Sequence, residues 1–148
     1  MLLPHRPIRP LAGSASAKAV CVDPKIVKDV WPKVSQFIRQ AMQRGDLGRF
    51  DRLEADLLAA DGLLWLAVTE HEIHAAVITQ LIVTECSKVC MIQACGGNGI
   101  NNWIGLIETI EDYAKNQRCD CVRLMGRRGW ARMLKGYRAD KVIMERRF

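Results

Sequence analysis

The chain has 148 residues, enough for one hydrophobic core and too few for two ordinary domains. With 49% hydrophobic and 26% charged residues it matches a globular composition. No apolar run reaches the roughly 18 residues of a membrane-spanning helix, and prolines break the apolar start Met1-Leu2-Leu3-Pro4-His5-Arg6-Pro7 before a signal-peptide core forms. These features point to the cytoplasm. The net charge of +6 is unevenly placed: residues 1–45 hold 8 Lys/Arg and 2 Asp/Glu, residues 46–117 hold 4 and 11, and residues 118–148 hold 10 and 3. Basic ends of this kind suit an anionic partner, or are simply solvated faces.

Residues 1–17 carry Pro4, Pro7 and Pro10, then Gly-Ser-Ala-Ser-Ala, with little to bury; they read as a flexible basic tail preceding a domain over 18–148. Ala19-Val20-Cys21-Val22 is a short first strand. Asp23-Pro24 supplies an N-cap and a proline at the first helical position. Apolar residues at Val27, Val30, Trp31, Val34, Phe37, Ile38, Ala41 and Met42 follow helical spacing up to Gly45, with a kink or fresh start expected at Pro32. A second helix carries Phe50, Leu53, Leu57 and Leu58 and closes at Asp61-Gly62.

The period then changes. Residues 63–69 and 73–84 are rich in apolar and β-branched types around the polar turn Glu70-His71-Glu72, which predicts a hairpin. A third strand is expected over 89–95, stopped by Gly96-Gly97-Asn98-Gly99. Trp103, Leu106, Ile107, Ile110, Tyr113 and Ala114 mark the buried stripe of a helix. A strand over 119–125, a short helix over 128–134 and a last strand over 141–146 complete the order β-α-α-β-β-β-α-β-α-β. This is one α/β (α+β) domain, a mixed central sheet with an antiparallel meander flanked by helices. The six cysteines read as buried reduced thiols.

Several motifs bear on chemistry. The turn at Gly96-Gly97-Asn98-Gly99, leading into a helix near Asn101 or Asn102, combines permissive backbone with a positive dipole end, an arrangement suited to a diphosphate. A plain asparagine-capped turn is the alternative. His71-Glu72-Ile73-His74 lacks the helical spacing of a zinc motif, Cys119-x-Cys121 lacks a second pair, and no metal site is expected. Arg123, Arg127, Arg128, Arg132, Lys135 and Arg138, with Trp130 and Tyr137, mix cations and aromatics as nucleic-acid binders do, although Trp130 fits the core side of a short helix better.

The meander, glycine turn, helix, strand, short helix and final strand resemble the GCN5-related N-acetyltransferase (GNAT) fold. The combination of Val30-Trp31-Pro32, Leu64-Trp65, Gly96-Gly97, Cys119-Asp120 and Gly126-Arg127-Arg128-Gly129-Trp130 further resembles short GNAT-like proteins encoded by bacteriophages. The resemblance implies transfer of an acetyl group from acetyl-CoA to an amine, with Gln93, Ala94, Cys95, Gly96, Gly97, Asn98, Gly99 and Trp103 at the coenzyme. The family's thiolate-protonating tyrosine aligns with Arg132, which cannot donate a proton near neutral pH; Tyr137 and Cys121 are alternatives. Glu70, Glu72 and Glu85 are the candidate bases, with Glu72 preferred. The resemblance also implies a rival: a degenerate phage protein, virion-associated or bound to a host protein through its basic termini, inside the bacterial cell.

Overall fold

The computed structural model describes residues 17–126 and 128–148. Its elements are β1 (Lys18–Cys21), α1 (Val27–Gly45), α2 (Phe50–Leu58), β2 (Leu63–Val68), β3 (Ile73–Val83), β4 (Lys88–Gly97), α3 (Ile100–Asn116), β5 (Cys121–Leu124) and a 3-10 turn at Arg128–Arg132. The five strands form one sheet in the order β1-β2-β3-β4-β5. The first four make an antiparallel meander, and β5 returns parallel to β4 across α3.

The alternation within the strands divides the core into two layers. On one face Trp65, Val77, Cys90 and Ile92 meet Leu106, Ile107 and Ile110 of α3. On the other, Leu64, Leu66, Ile78 and Ala94 meet Val34 and Ile38 of α1 and Leu53 and Leu57 of α2. Each fully buried aliphatic side chain contributes about 1.5–3 kcal/mol. Trp31 stacks on Phe50 at 5.9 Å and donates its indole N–H to Glu54 Oε2 at 2.6 Å, fastening α1 to α2. The indole of Trp65, fully buried, donates to Thr79 Oγ1 at 2.9 Å.

Several boundaries differ from the sequence reading. Asp23 caps a lead-in turn, its Oδ1 accepting the Lys25 amide at 3.0 Å and its carbonyl accepting that of Ile26 at 2.9 Å; the helix itself starts at Val27. Pro32 sits inside a continuous α1. The bond it forgoes would go to the carbonyl of Lys28, an exposed residue of the first turn. β4 does not stop at Gly96; it runs through Gly97, paired to β3. The short helix is a 3-10 turn ending at Arg132. Residues 141–146 form no strand: they find no pairing partner among the described residues, and Val142 and Met144 are 77% and 90% exposed. Of the expected tail, only Ala17 is among the described residues, and it is buried in the core. Arg6, Arg9 and Arg127 lie outside the described residues.

Candidate active site

The sheet opens where β4 and β5 part. They pair only from Val89 with Cys121 to Ile92 with Leu124. β4 then continues through residues 93–97 with no strand on that side among the described residues, so every second residue there presents its N–H and C=O to an open edge. The divergence coincides with a register shift. Ile78 faces Ala94 and the next residue, Thr79, faces Ile92, which leaves Gln93 as the extra residue of a β-bulge. The bulge reverses the alternation: Cys90 and Ile92 face α3, whereas Ala94 faces α1 and α2.

A cleft of about 670 Å³ fills this opening. One wall is the end of α1 with the start of α2. The floor is β4 from Ile92 to Gly97, and the far wall is Trp103 of α3 with Trp130 and Met133. The rings of Trp103 and Trp130 lie 3.8 Å apart between centroids at 41°, and Gly126 makes room for them, since a Cβ there would come within 3.3 Å of Trp130. The two strand glycines answer to packing. A Cβ on Gly96 would strike the backbone of Phe37 in α1, and one on Gly97, with φ 144°, would strike the His74 carbonyl and Ala75. That carbonyl accepts the Asn98 amide at 2.8 Å, which fixes the chain as it leaves the sheet. Gly99, with φ 78°, is the N-cap of α3 and brings no side chain of its own to the helix start. The positive dipole end of this 17-residue helix, where backbone N–H groups have no intrahelical acceptor, lies beside the cleft.

Of the coenzyme residues expected from sequence, Gln93, Ala94, Cys95, Gly96, Gly97, Gly99 and Trp103 line this cleft; Asn98 lies between them, off the wall. The residues expected to do acid–base work are elsewhere. Arg132 is exposed at the end of the 3-10 turn. The half-buried Tyr137 donates its phenol to Glu111 Oε2 at 2.6 Å, and its pKa is pushed up by burial and by that carboxylate. Glu72 is exposed in the β2–β3 turn, 3.7 Å from His74 Nδ1, and Glu70 and Glu85 are exposed in turns. Cys121 is half-buried in β5 and does not line the cleft. Cys95, which does line it, has its thiol pushed up to about 12 by desolvation and stays protonated at neutral pH.

The sequence reading missed a polar relay on the opposite wall. Gln93 Nε2 donates to Gln80 Oε1 at 2.9 Å, and Gln80 Nε2 donates to Asp56 Oδ2 at 3.2 Å and to the Asp61 carbonyl at 2.7 Å. Two glutamines inside otherwise apolar strands were the available signal. Arg44, Arg49, Arg52 and Asp56 also line the cleft, on helical faces that read as ordinary solvated surface.

No protein-family model matches the sequence, and no curated protein matches it. Solved structures do. A ribosomal-protein-alanine N-acetyltransferase from Brucella melitensis biovar Abortus 2308 superposes with a TM-score of 0.64 at 14% identity, over 89% of this chain and 99% of that one. An aminoglycoside acetyltransferase from an uncultured soil metagenomic sample gives 0.62 at 16%, over 89% and 95%. A transcriptional regulator from Bacillus halodurans C-125 gives 0.63 at 12%, over 89% and 99%. At such identities the likeness is one of architecture: this chain has the mixed α+β fold, with a mostly antiparallel five-stranded sheet, of the GNAT acetyltransferases.

Proposed function

We propose that the protein is an N-acetyltransferase that uses acetyl-CoA and acts on an amine. The observation that carries this reading is the open edge of β4 beyond the Gln93 bulge, ending at the start of α3. The edge offers backbone donors and acceptors to an extended amide-bearing arm, and the helix start offers N–H groups and a positive dipole end to a diphosphate. The residues present fit such a ligand. Residues 93–97 would hold the arm, Gly99 and the first turn of α3 the diphosphate, and Trp103 would pack against the arm.

When bound, acetyl-CoA would supply a thioester, whose acyl carbon bonds to the amine nitrogen while the C–S bond breaks; the amine loses one proton and the departing thiolate gains one. The chain's own part is to orient and to polarise. Backbone N–H groups of β4 near the bulge are fixed before any ligand arrives and cost no reorganisation when an oxygen becomes negative. Trp103 and Trp130 shield that end of the cleft from water. Arg132, Tyr137 and Glu72 take no part in this reading, because none of them lines the cleft.

The test is an equilibrium titration of acetyl-CoA against wild type and Asn98→Asp. A carboxylate just before α3 favours the helix dipole by about 0.3–1 kcal/mol, so the variant should melt no lower than wild type. It should nevertheless bind acetyl-CoA roughly fivefold more weakly, through repulsion of the diphosphate. Equal affinities would sink the placement of the phosphates.

A second reading is a degenerate member of the fold that serves a phage as a virion or host-interaction protein. It is favoured by the absence of Arg132, Tyr137 and Glu72 from the cleft walls and by the exposed apolar side chains of Val142, Met144 and Phe148. Sedimentation with phage particles or nucleic acid at low and high salt separates the two readings: a salt-sensitive assembly supports the second, and its absence removes it.

A further inference from the structure

The two ends of the cleft differ in chemistry. Among the described residues, the end formed by Gly97, Gly99, Trp103, Gly126, Trp130 and Met133 has no charged lining side chain, whereas Arg44, Arg49, Arg52 and Asp56 line the end formed by α1 and α2. The acetyltransferase reading uses the uncharged end and the β4 edge, and leaves the charged end unexplained. Arg49 is committed locally, its Nε and Nη2 donating to Asp51 at 3.1 and 2.6 Å. Arg44 and Arg52 have no ion-pair partner among the described residues. Both are exposed, and they stand on either side of the α1–α2 connection.

Asp56 is different from a solvated surface carboxylate. It follows Arg52 by four residues on α2, which puts the two on one helix face with Cβ atoms roughly 5–6 Å apart. Its Oδ2 is held by Gln80, which is in turn held by Gln93, the bulge residue where the β4 edge opens. The relay sets one carboxylate against the reacting end of the cleft and leaves Oδ1 for a second donor. A cation can meet Asp56, and an anion attached to it can meet Arg52 or Arg44.

We propose that this end of the cleft is an acceptor subsite for a small primary amine that also carries an anionic group, a carboxylate or a phosphate monoester. Asp56 anchors the ammonium before it loses its proton, and Arg52, assisted by Arg44, takes the anion. The short separation of Arg52 and Asp56 requires amine and anion a few bonds apart. A polyamine is disfavoured by the excess of arginine, and a neutral amine satisfies only half of the site. This inference rests on the acetyltransferase reading for its chemistry, but its geometry does not depend on the coenzyme.

Matched ligands test it: β-alanine against propylamine, and phosphoethanolamine against ethanolamine. Each is titrated into the full chain by calorimetry, with and without acetyl-CoA, and then assayed for thiol release. The anionic member of each pair should bind and turn over at concentrations roughly tenfold lower or better, and the pair with the larger gain identifies carboxylate or phosphate. Arg52→Ala, with Arg52→Gln to preserve length, should collapse the ratio within a pair towards one while leaving the acetyl-CoA dissociation constant within about twofold. Asp56→Asn should weaken both members of a pair alike, and melting curves confirm that each variant is folded. Equal treatment of the two members by wild type overturns the proposal. So does an Arg52→Ala effect that falls on acetyl-CoA instead, which would assign the arginines to the coenzyme's phosphates. If acetyl-CoA fails to bind and the pair preference persists, the acetyltransferase reading falls and the subsite stands. If acetyl-CoA binds and no preference appears, the reverse holds.

Discussion

Replacing Gly96 with alanine should cost far more than one methyl group suggests. An ideal Cβ at this position would overlap the carbonyl oxygen of Phe37, lie 2.8 Å from its carbon and 3.4 Å from the Ala41 side chain. The carbonyl belongs to α1, a 19-residue helix, and cannot swing aside like the end of a flexible side chain. The helix must therefore lift from the sheet by about an ångström or more, opening gaps around Val34 and Ile38, which are 0% exposed. Overpacking a core costs about 1–3 kcal/mol, and an immovable backbone neighbour puts this case at about 3. In a chain of this size that lowers the melting temperature by roughly 6–12 °C. Alanine is otherwise the better strand residue by about 0.5–1 kcal/mol, so the measured loss understates the clash. The control is Gly129→Ala, where a Cβ would meet nothing within 4 Å, and which should stay within about 0.5 kcal/mol of wild type. Urea unfolding of the three proteins, followed by circular dichroism, decides. A Gly96→Ala variant as stable as Gly129→Ala would refute the packing account of the strand glycines.

Three further outcomes are expected. Thr79→Val keeps the shape of a buried side chain but strands the Trp65 indole N–H that it now accepts at 2.9 Å, so denaturation should show a loss of about 1–3 kcal/mol; a neutral variant contradicts this. Burial pushes the thiols of Cys21 and Cys90 up to about 11 and about 12, and the Tyr113 phenol up to about 12. The folded state thus keeps protons that the unfolded chain releases above its ordinary thiol pKa of 9.0, so stability is level below pH 9 and falls as pH rises towards 11–12. A melting temperature no lower at about pH 10.5 than at about pH 8 would count against that linkage. Tyr137→Phe removes the 2.6 Å bond to Glu111 and should speed proteolysis at Arg138, with a stability loss of about 1 kcal/mol or more; unchanged cleavage would show that the bond does not hold the C-terminal segment.

The sequence revealed elements whose signal is local and periodic. The helical stripe ending at Tyr113 and Ala114, the hairpin around Glu70-His71-Glu72 and the amphipathic α2 all read directly from spacing. What escaped it depends on contacts between distant residues. Gly96 is equally at home in a turn or a strand until Phe37, far away in sequence, is seen to rest on it. The bulge at Gln93 is a fact of register between two strands and leaves no local mark. Residues 141–146 carry apolar side chains in a strand-like run, but a strand needs an edge to pair with, and the segment pairs with none among the described residues. The β4 residues that floor the cleft were legible because they are consecutive. Arg44, Arg52 and Asp56 were not, because charges on the polar faces of amphipathic helices look alike until a cleft brings them together.

The central claim is that the open edge of β4 and the start of α3 together form a coenzyme site. Calorimetric titration of acetyl-CoA into the full chain tests it most directly, with acetate and pantetheine titrated alongside. The account predicts saturable binding at one site per chain, tightest for the complete coenzyme, because the strand edge and the helix start each engage a different part of it. No detectable heat from acetyl-CoA up to millimolar concentration, at several temperatures, would contradict it.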